Sequence, residues 1–299
     1  LMQNSGTGEI LEYYRSHSVV TEPREYAHLY DRLPASIEDI SRELHNVLIH
    51  NWKVYAEGIR LSAERRADIE IRPMARLLGC IERASAQPWD MERPPDSRVV
   101  VDCRHFATLL CSVLRHRTVP ARTRHGFAWY LEPGHSQSHV ICEYWDATAG
   151  RWVPVDPDTL QQDMPADRFV TADAAWRGIR AGALDAAQFG YGSDLRGAWC
   201  VRWEVIRDFA ALNKHEMLTF DVWGLNASYE FNDTLLPRDA ALLDRITSLL
   251  EDDRRNFSAL RAIYEADERV RVPTVIRSQP YTTGLTHEVD LALDGSLPV

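Results

Sequence analysis

The amino-acid sequence predicts an α+β fold. Three observations carry that expectation. Apolar residues recur at helical spacing in the first ninety positions, strand-like runs cluster between residues 120 and 156, and helical spacing returns after residue 200. The order suggests a helical part over 1–89, a core over 90–170 and a helical extension over 171–299, packed as one unit. No internal repeat or low-complexity run interrupts it.

Taken in order, residues 1–33 read as polar and irregular, anchored by Tyr13, Tyr14, Tyr26 and Tyr30. Ser36 followed by Asp39 resembles a capping arrangement, and Ile37, Ile40, Leu44, Val47 and Leu48 form a helical stripe behind it. A second helix is expected from about Met74 to Ala84, and the proline-rich SAQPWDMERPPDSR then connects to VVVDCRHFATLLCSVLRHRTVPAR, Val99 to Arg122. PARTRHGFAWYL, SHVICEYW and RWVPVD read as strands, the last two joined by DATAG. CVRWEVIRDFAALNKHEML and RDAALLDRITSLLEDD read as helices, and the last thirty residues show no period.

The bulk composition narrows the function. The 299 residues are 45% hydrophobic and 26% charged, ordinary for a globular protein, with a formal net charge of −10. That sign argues against nucleic acid as the main partner, because phosphates need a basic footprint. No apolar run approaches the ~20 residues of a membrane span. The opening LMQNSGTGEI lacks the basic-then-apolar pattern of a secretory signal. Cys80, Cys103, Cys111, Cys142 and Cys200 are too few and scattered for a disulfide framework, so a cytoplasmic protein with free thiols is expected.

Cys103 stands at a junction between an apolar run and an amphipathic one. Phe106, Leu109, Leu110, Val113 and Leu114 continue a helix for which Asp102 is a good N-cap. The thiol therefore falls in the first turn, where free amides and the helix dipole bias it toward thiolate. Space-filling is the commoner role of a cysteine, so a base and an orienting group are needed beside it. The DATAG hairpin offers both. If Trp145 pairs with Gly150 around a four-residue loop, Cys142 meets Val153, Val140 meets Val155 and His139 falls opposite Asp156. Directly opposed side chains lie about 4.5–5.5 Å apart at Cβ, so imidazole and carboxylate can bond. Cys103, His139 and Asp156 then read as nucleophile, base and orienter.

DCRHFATLLCSVLRHRTVPAR, SHVICEYW and RWVPVDP resemble the three blocks of the transglutaminase-like superfamily, and VPAR after the helix is also typical. The resemblance covers about residues 90–160 and implies a papain-like fold, with the helix-start cysteine packed on an antiparallel sheet. By motif it carries the catalytic triad onto Cys103, His139 and Asp156. The wider chain, with VIRDFAALNKHEMLTFDVWGL, resembles a group of bacterial proteins bearing this domain. The implied activity is thiol-dependent acyl transfer on the amide or thioester carbonyl of a peptide or acyl substrate. Water as acceptor makes an amidase or peptidase, and an amine makes an acyltransferase. Val140 stands where relatives often carry an aromatic residue. The rival readings are a non-catalytic module that binds in the same cleft, and a redox-sensing thiol resolved by Cys111 or Cys142.

Other polar residues read more simply. His135 is expected in a solvated loop, and His105, His116 and His125 on the surface or a strand face. His139 and Cys142, three positions apart on a strand, point to opposite faces and do not pair on zinc. No calcium loop is present and no cofactor is called for. Arg115, Arg117, Arg122 and Arg124 read as a solvated face, or, more sharply, one or two of them as guides for an anionic substrate. Trp52 and Trp89 could each supply an indole N–H to an oxyanion, with packing as the plainer role.

Overall fold

Val99–Val101 is too short to pair alone, and in the computed structural model, which describes residues 5–297, it runs parallel to Leu48–His50. His50 is thereby set beside Val101, one residue short of Asp102. Leu48 belongs to this strand rather than to the helical stripe. The helix before it, Ile37–Val47, begins where expected, with Ser36 Oγ accepting the Asp39 N–H at 3.0 Å. Met74–Ala84 is likewise a helix.

The larger sheet is built on the long hairpin Ala121–Glu132 and His135–Asp146. Its tight turn needs Gly134 at φ +80°. Arg151–Asp156 adds antiparallel to the second strand, Gln161–Gln162 borders that, and Phe169–Thr171 borders the first. The DATAG register differs from expectation. Asp146 pairs with Arg151 and Cys142 with Val155, so the loop is Ala147–Gly150. Asp146 Oδ1 accepts the N–H groups of Thr148 and Ala149 at 2.8 and 3.0 Å, and Gly150 takes φ +66°. A residue in that conformation turns the chain and cannot close the ladder. The shift is two positions in the pairing sum, which keeps every side chain on its expected face.

The helix Cys103–His116 lies between this sheet and the N-terminal helices and is buried from Cys103 through Arg115. Its apolar side, Phe106 to Leu114, packs with Leu44, Leu77, Leu78, Cys142 and Val155. Burial all round forces its polar groups to find protein partners. Arg104 donates to the Arg72 and Glu216 carbonyls, Ser112 Oγ to the Thr21 carbonyl at 2.5 Å, and Arg115 to Glu216 at 2.8 Å.

Two terminal segments differ from expectation. Ser5–Arg15, within a stretch read as irregular, is a helix whose Ile10 and Tyr14 bury against Leu212 and Phe257. Two glycines weaken its intrinsic propensity, and tertiary burial supplies the stability instead. Residues 1–4 of the same stretch lie outside the described residues. The extension contains the expected helices Ala198–Leu212 and Pro237–Leu250, and also a three-stranded sheet of Asp221–Val222, Val275–Ser278 and His287–Asp290. Strands of two to four residues leave too little alternation to read. Among the described residues no helix is long and apolar enough to cross a membrane.

Arg117 is half-buried and donates to the Leu33 and Pro34 carbonyls, while Arg115, Arg122 and Arg124 fit neither of their two readings. Arg115 is inside the protein on Glu216. Arg122 bonds Glu143 at 2.8 Å and Asp253, and its guanidinium lies 4.2 Å from the Trp152 ring centre. Arg124 bonds Asp208 at 3.0 Å and Asp173 at 2.9 Å. They are interior ion pairs, so they neither face solvent nor guide a substrate. Replacing one partner strands the other. Arg124→Gln is expected to lower the free energy of urea unfolding by about 3–5 kcal/mol, leaving Asp208 buried without its cation. Wild-type stability in that variant would contradict this placement.

Candidate active site

Asp102 caps the cysteine helix by accepting the Arg104 N–H at 3.1 Å. His105 bridges inward, with Nδ1 2.7 Å from Asp102 Oδ1 and Nε2 2.8 Å from the Ile71 carbonyl. Burial disfavours a charge on Asp102, but His105 and the hydroxyl of Thr219, at 2.9 Å, hold its pKa well below the usual carboxylate range. His105 is thus a buried capping partner rather than a surface group. His125 is buried on its strand against Glu204 at 2.8 Å, while His116 is exposed.

This cap places Cys103 at the first helical position, 8% exposed and lining a cleft of about 880 Å³. His139 lines the same cleft, and its Nε2 is 2.8 Å from Asp156 Oδ2. Cys103 and His139 are close enough to shift each other's titration, and with Nε2 taken by Asp156 the ring nitrogen left free is Nδ1. The three predicted residues therefore converge. They do so diagonally: by the observed register Asp156 lies opposite Ile141, two positions from His139. Diagonal neighbours are about 7–8 Å apart at Cα, a gap that an imidazole and a carboxylate can span.

Asp156 is held by more than the histidine. Tyr130 and Thr159 hydroxyls donate to its Oδ2 at 2.7 and 2.5 Å, and the Asp158 N–H to its Oδ1 at 2.9 Å. Burial pushes its pKa up, but His139 and the Thr159 and Tyr130 hydroxyls bring it down to about 2. The carboxylate in turn raises His139 well above the ordinary imidazole range, against the cost of burial. For Cys103 burial wins. It pushes the thiol up to about 11, although the His139 ring pulls the other way. The expected bias toward thiolate from the helix start is thus opposed by desolvation.

Several residues of the site escaped the sequence reading. Tyr130 comes from the strand before the turn, at a register shift between Ala128 and Glu132 that no local motif announces. Asp158 and His50 stand 3.6 Å apart beside the trio. Burial raises Asp158 to about 7 and lowers His50 to about 3. The DPD repeat, residues 156–158, was the available signal for Asp158. Trp52 lines the cleft, whereas Trp89 is packed in the N-terminal core beside Tyr30. His135 starts its strand opposite Glu132, outside the cleft lining, and Cys142 faces the core.

Residues 92–157 match the family model of the transglutaminase-like superfamily. This segment is similar to a transglutaminase-like core. It holds the cysteine helix, the hairpin and Asp156, so all three converging residues lie within it. No curated protein matches the chain. Among solved structures, a crystal structure of a protein from Cytophaga hutchinsonii, named as a candidate cysteine protease, is 17% identical with a TM-score of 0.33. The match covers 55% of this chain and 46% of that one, so it spans less than half the length of that protein.

Asp158 gives a pH test of this geometry. A carboxyl whose folded pKa is raised adds stability below its unfolded value near 4, and loses it as pH rises through 7. Asp158→Asn should therefore match wild type below pH 4 and exceed it at pH 8, by up to about 4 kcal/mol in urea unfolding. A variant less stable than wild type at pH 8 would place a charged partner on Asp158 instead.

Proposed function

We propose that the cleft is the active site of a thiol-dependent acyl-transfer enzyme, with Cys103 as nucleophile, His139 as general base and acid, and Asp156 as the orienting carboxylate. The observation that carries this reading is the His139–Asp156 bond at 2.8 Å beside a thiol at the start of a helix. Cys103 and His139 titrate as a pair, and the productive form has lost one proton from that pair. Sulfur then attacks the carbonyl carbon of an amide or thioester while the remaining proton sits on the ring, stabilised there by Asp156. The carbonyl π electrons move onto oxygen, facing the Cys103 N–H, one of the first-turn amides without an intrahelical partner. As the tetrahedral species collapses, His139 passes its proton to the leaving nitrogen or sulfur, and a thioester remains on Cys103. Water or an amine then gives a proton to His139 and attacks that thioester, which releases the thiol. Tyr130 and Thr159 act through Asp156 and are positioning residues. The supporting site is compatible with a peptide, an amide or an acyl-thioester substrate. The arginine placement removes the reason for expecting an anionic one.

Alkylation by iodoacetamide, followed by intact mass and peptide mapping, tests the nucleophile. Cys103 should label before the other cysteines, at a rate that climbs from pH 6 to pH 10 because burial holds the pair's proton. His139→Ala removes the ring that lowers the thiol, and at pH 8 the rate should fall roughly tenfold for each unit the thiol rises. Even labelling of several cysteines, unchanged in the variant, would favour a module that binds without catalysis.

A further inference from the structure

The proposed trio belongs to residues 92–157, but much of the cleft wall does not. Tyr191, Trp199, Trp203 and Phe231 line the cleft from the C-terminal extension. Trp199 and Trp203 are one turn apart on the helix Ala198–Leu212, so their indoles share a face, with ring centres 5.5 Å apart edge to face. Phe231 meets Trp199 edge-on at 4.9 Å and stacks on Trp203 at 5.7 Å, and Tyr191 stacks on Trp199 at 5.8 Å.

The polar edges of both indoles are used within the protein. Trp199 Nε1 donates to the Arg196 carbonyl and Trp203 Nε1 to the Glu230 carbonyl, each at 3.1 Å. What the wall offers the cleft is ring carbon. Phe231 is nevertheless 57% exposed, and Trp52 and Tyr281, on the same cleft, are each 56% exposed. Large aromatic groups left in solvent and gathered in one concavity mark a binding surface. Among the described residues no lysine or arginine lines the cleft, while Asp102, Glu132 and Asp158 do.

We propose that this wall is a subsite for an aromatic side chain on the acyl part of a peptide-like substrate, and that it discriminates against acidic side chains. Packed rings favour offset and edge-to-face partners, which an incoming phenyl or indole supplies. The carboxylates of Asp102 and Glu132, with no lysine or arginine among the lining residues, disfavour an acidic side chain. The inference rests on the proposed role of Cys103 for placing the side chain in the acyl part. Binding of that side chain needs no thiol.

The test uses the full chain and four chloromethyl ketones, built on acetyl-Phe-Gly, acetyl-Gly-Gly, acetyl-Glu-Gly and octanoyl-Gly. Labelling of Cys103 at limiting reagent should be about tenfold or more faster with the Phe compound than with the Gly compound, as expected for burying one aromatic side chain. The Glu compound should be slowest. Phe231→Ala should shrink the Phe-over-Gly ratio at least threefold, while Leu293→Ala, exposed outside the cleft, should keep it. A second arm measures quenching of tryptophan fluorescence in Cys103→Ser by acetyl-Phe-Gly-amide, acetyl-Gly-Gly-amide and acetyl-Glu-Gly-amide. If no ketone labels Cys103 but the Phe amide still binds at least tenfold tighter, the nucleophile assignment fails and the subsite stands. Equal behaviour of the Phe and Gly compounds in both arms overturns the subsite. So does faster labelling by the octanoyl compound, which would indicate an unbranched acyl chain.

Discussion

Asp102 decides where the cysteine helix begins, and the site follows from that. Its carboxylate accepts the Arg104 N–H, meets His105 from the same turn and takes the Thr219 hydroxyl from the extension. Capping ends the strand Val99–Val101 and starts the helix in a single residue. Cys103 is thereby fixed in the one turn whose amides have no helical partner. The parallel pairing of Val99–Val101 with Leu48–His50 then brings His50 and Trp52 to the same edge. A cap usually sets the stability of a helix. Here it also sets the place and direction of the sulfur.

A second constraint is charge in the interior. The helix and strands of the matched segment carry buried arginines, several of whose counter-ions come from outside it. Glu216 meets Arg115, and Asp208 and Asp173 meet Arg124. A buried cation without its carboxylate is costly, so the core depends on the extension for neutrality as well as for packing. The same logic operates at smaller scale in the cleft. Asp156 stays charged because His139, Thr159 and Tyr130 all serve it, whereas Asp158, two residues on, lacks such donors and is raised to about 7. Neighbouring carboxylates acquire different protonation from their surroundings alone.

The cleft is accordingly composite. Its reactive end is built by the segment that matches the superfamily, and much of its wall by helices and loops that lie outside that match. An arrangement of this kind separates chemistry from selection. On the proposed reading the trio performs the acyl transfer and the aromatic side chains beyond it select the substrate.

Much of the candidate site is legible in the sequence, for definite reasons. Asp102 followed by a helical stripe located Cys103, because capping is local and uses one residue. His139 and Asp156 could be brought together because strand side chains alternate with period two, and the two-position register shift left both on the same face. Tyr130 was not legible, since it reaches Asp156 across a register shift. The arginines were misjudged because a charged residue in sequence looks alike whether water or a distant carboxylate neutralises it. The helix Ser5–Arg15 and the short strands of the extension were likewise hidden, as their order comes from burial against remote partners such as Leu212 and Phe257. The sequence by itself determined the local directions: where the helix starts, which face each strand shows, and which residue types could do the chemistry. Only the tertiary structure decided the distances, the counter-ions, the burial that raises the Cys103 thiol and the aromatic wall. Those depend on segments distant in sequence meeting in space, and no local pattern encodes that meeting.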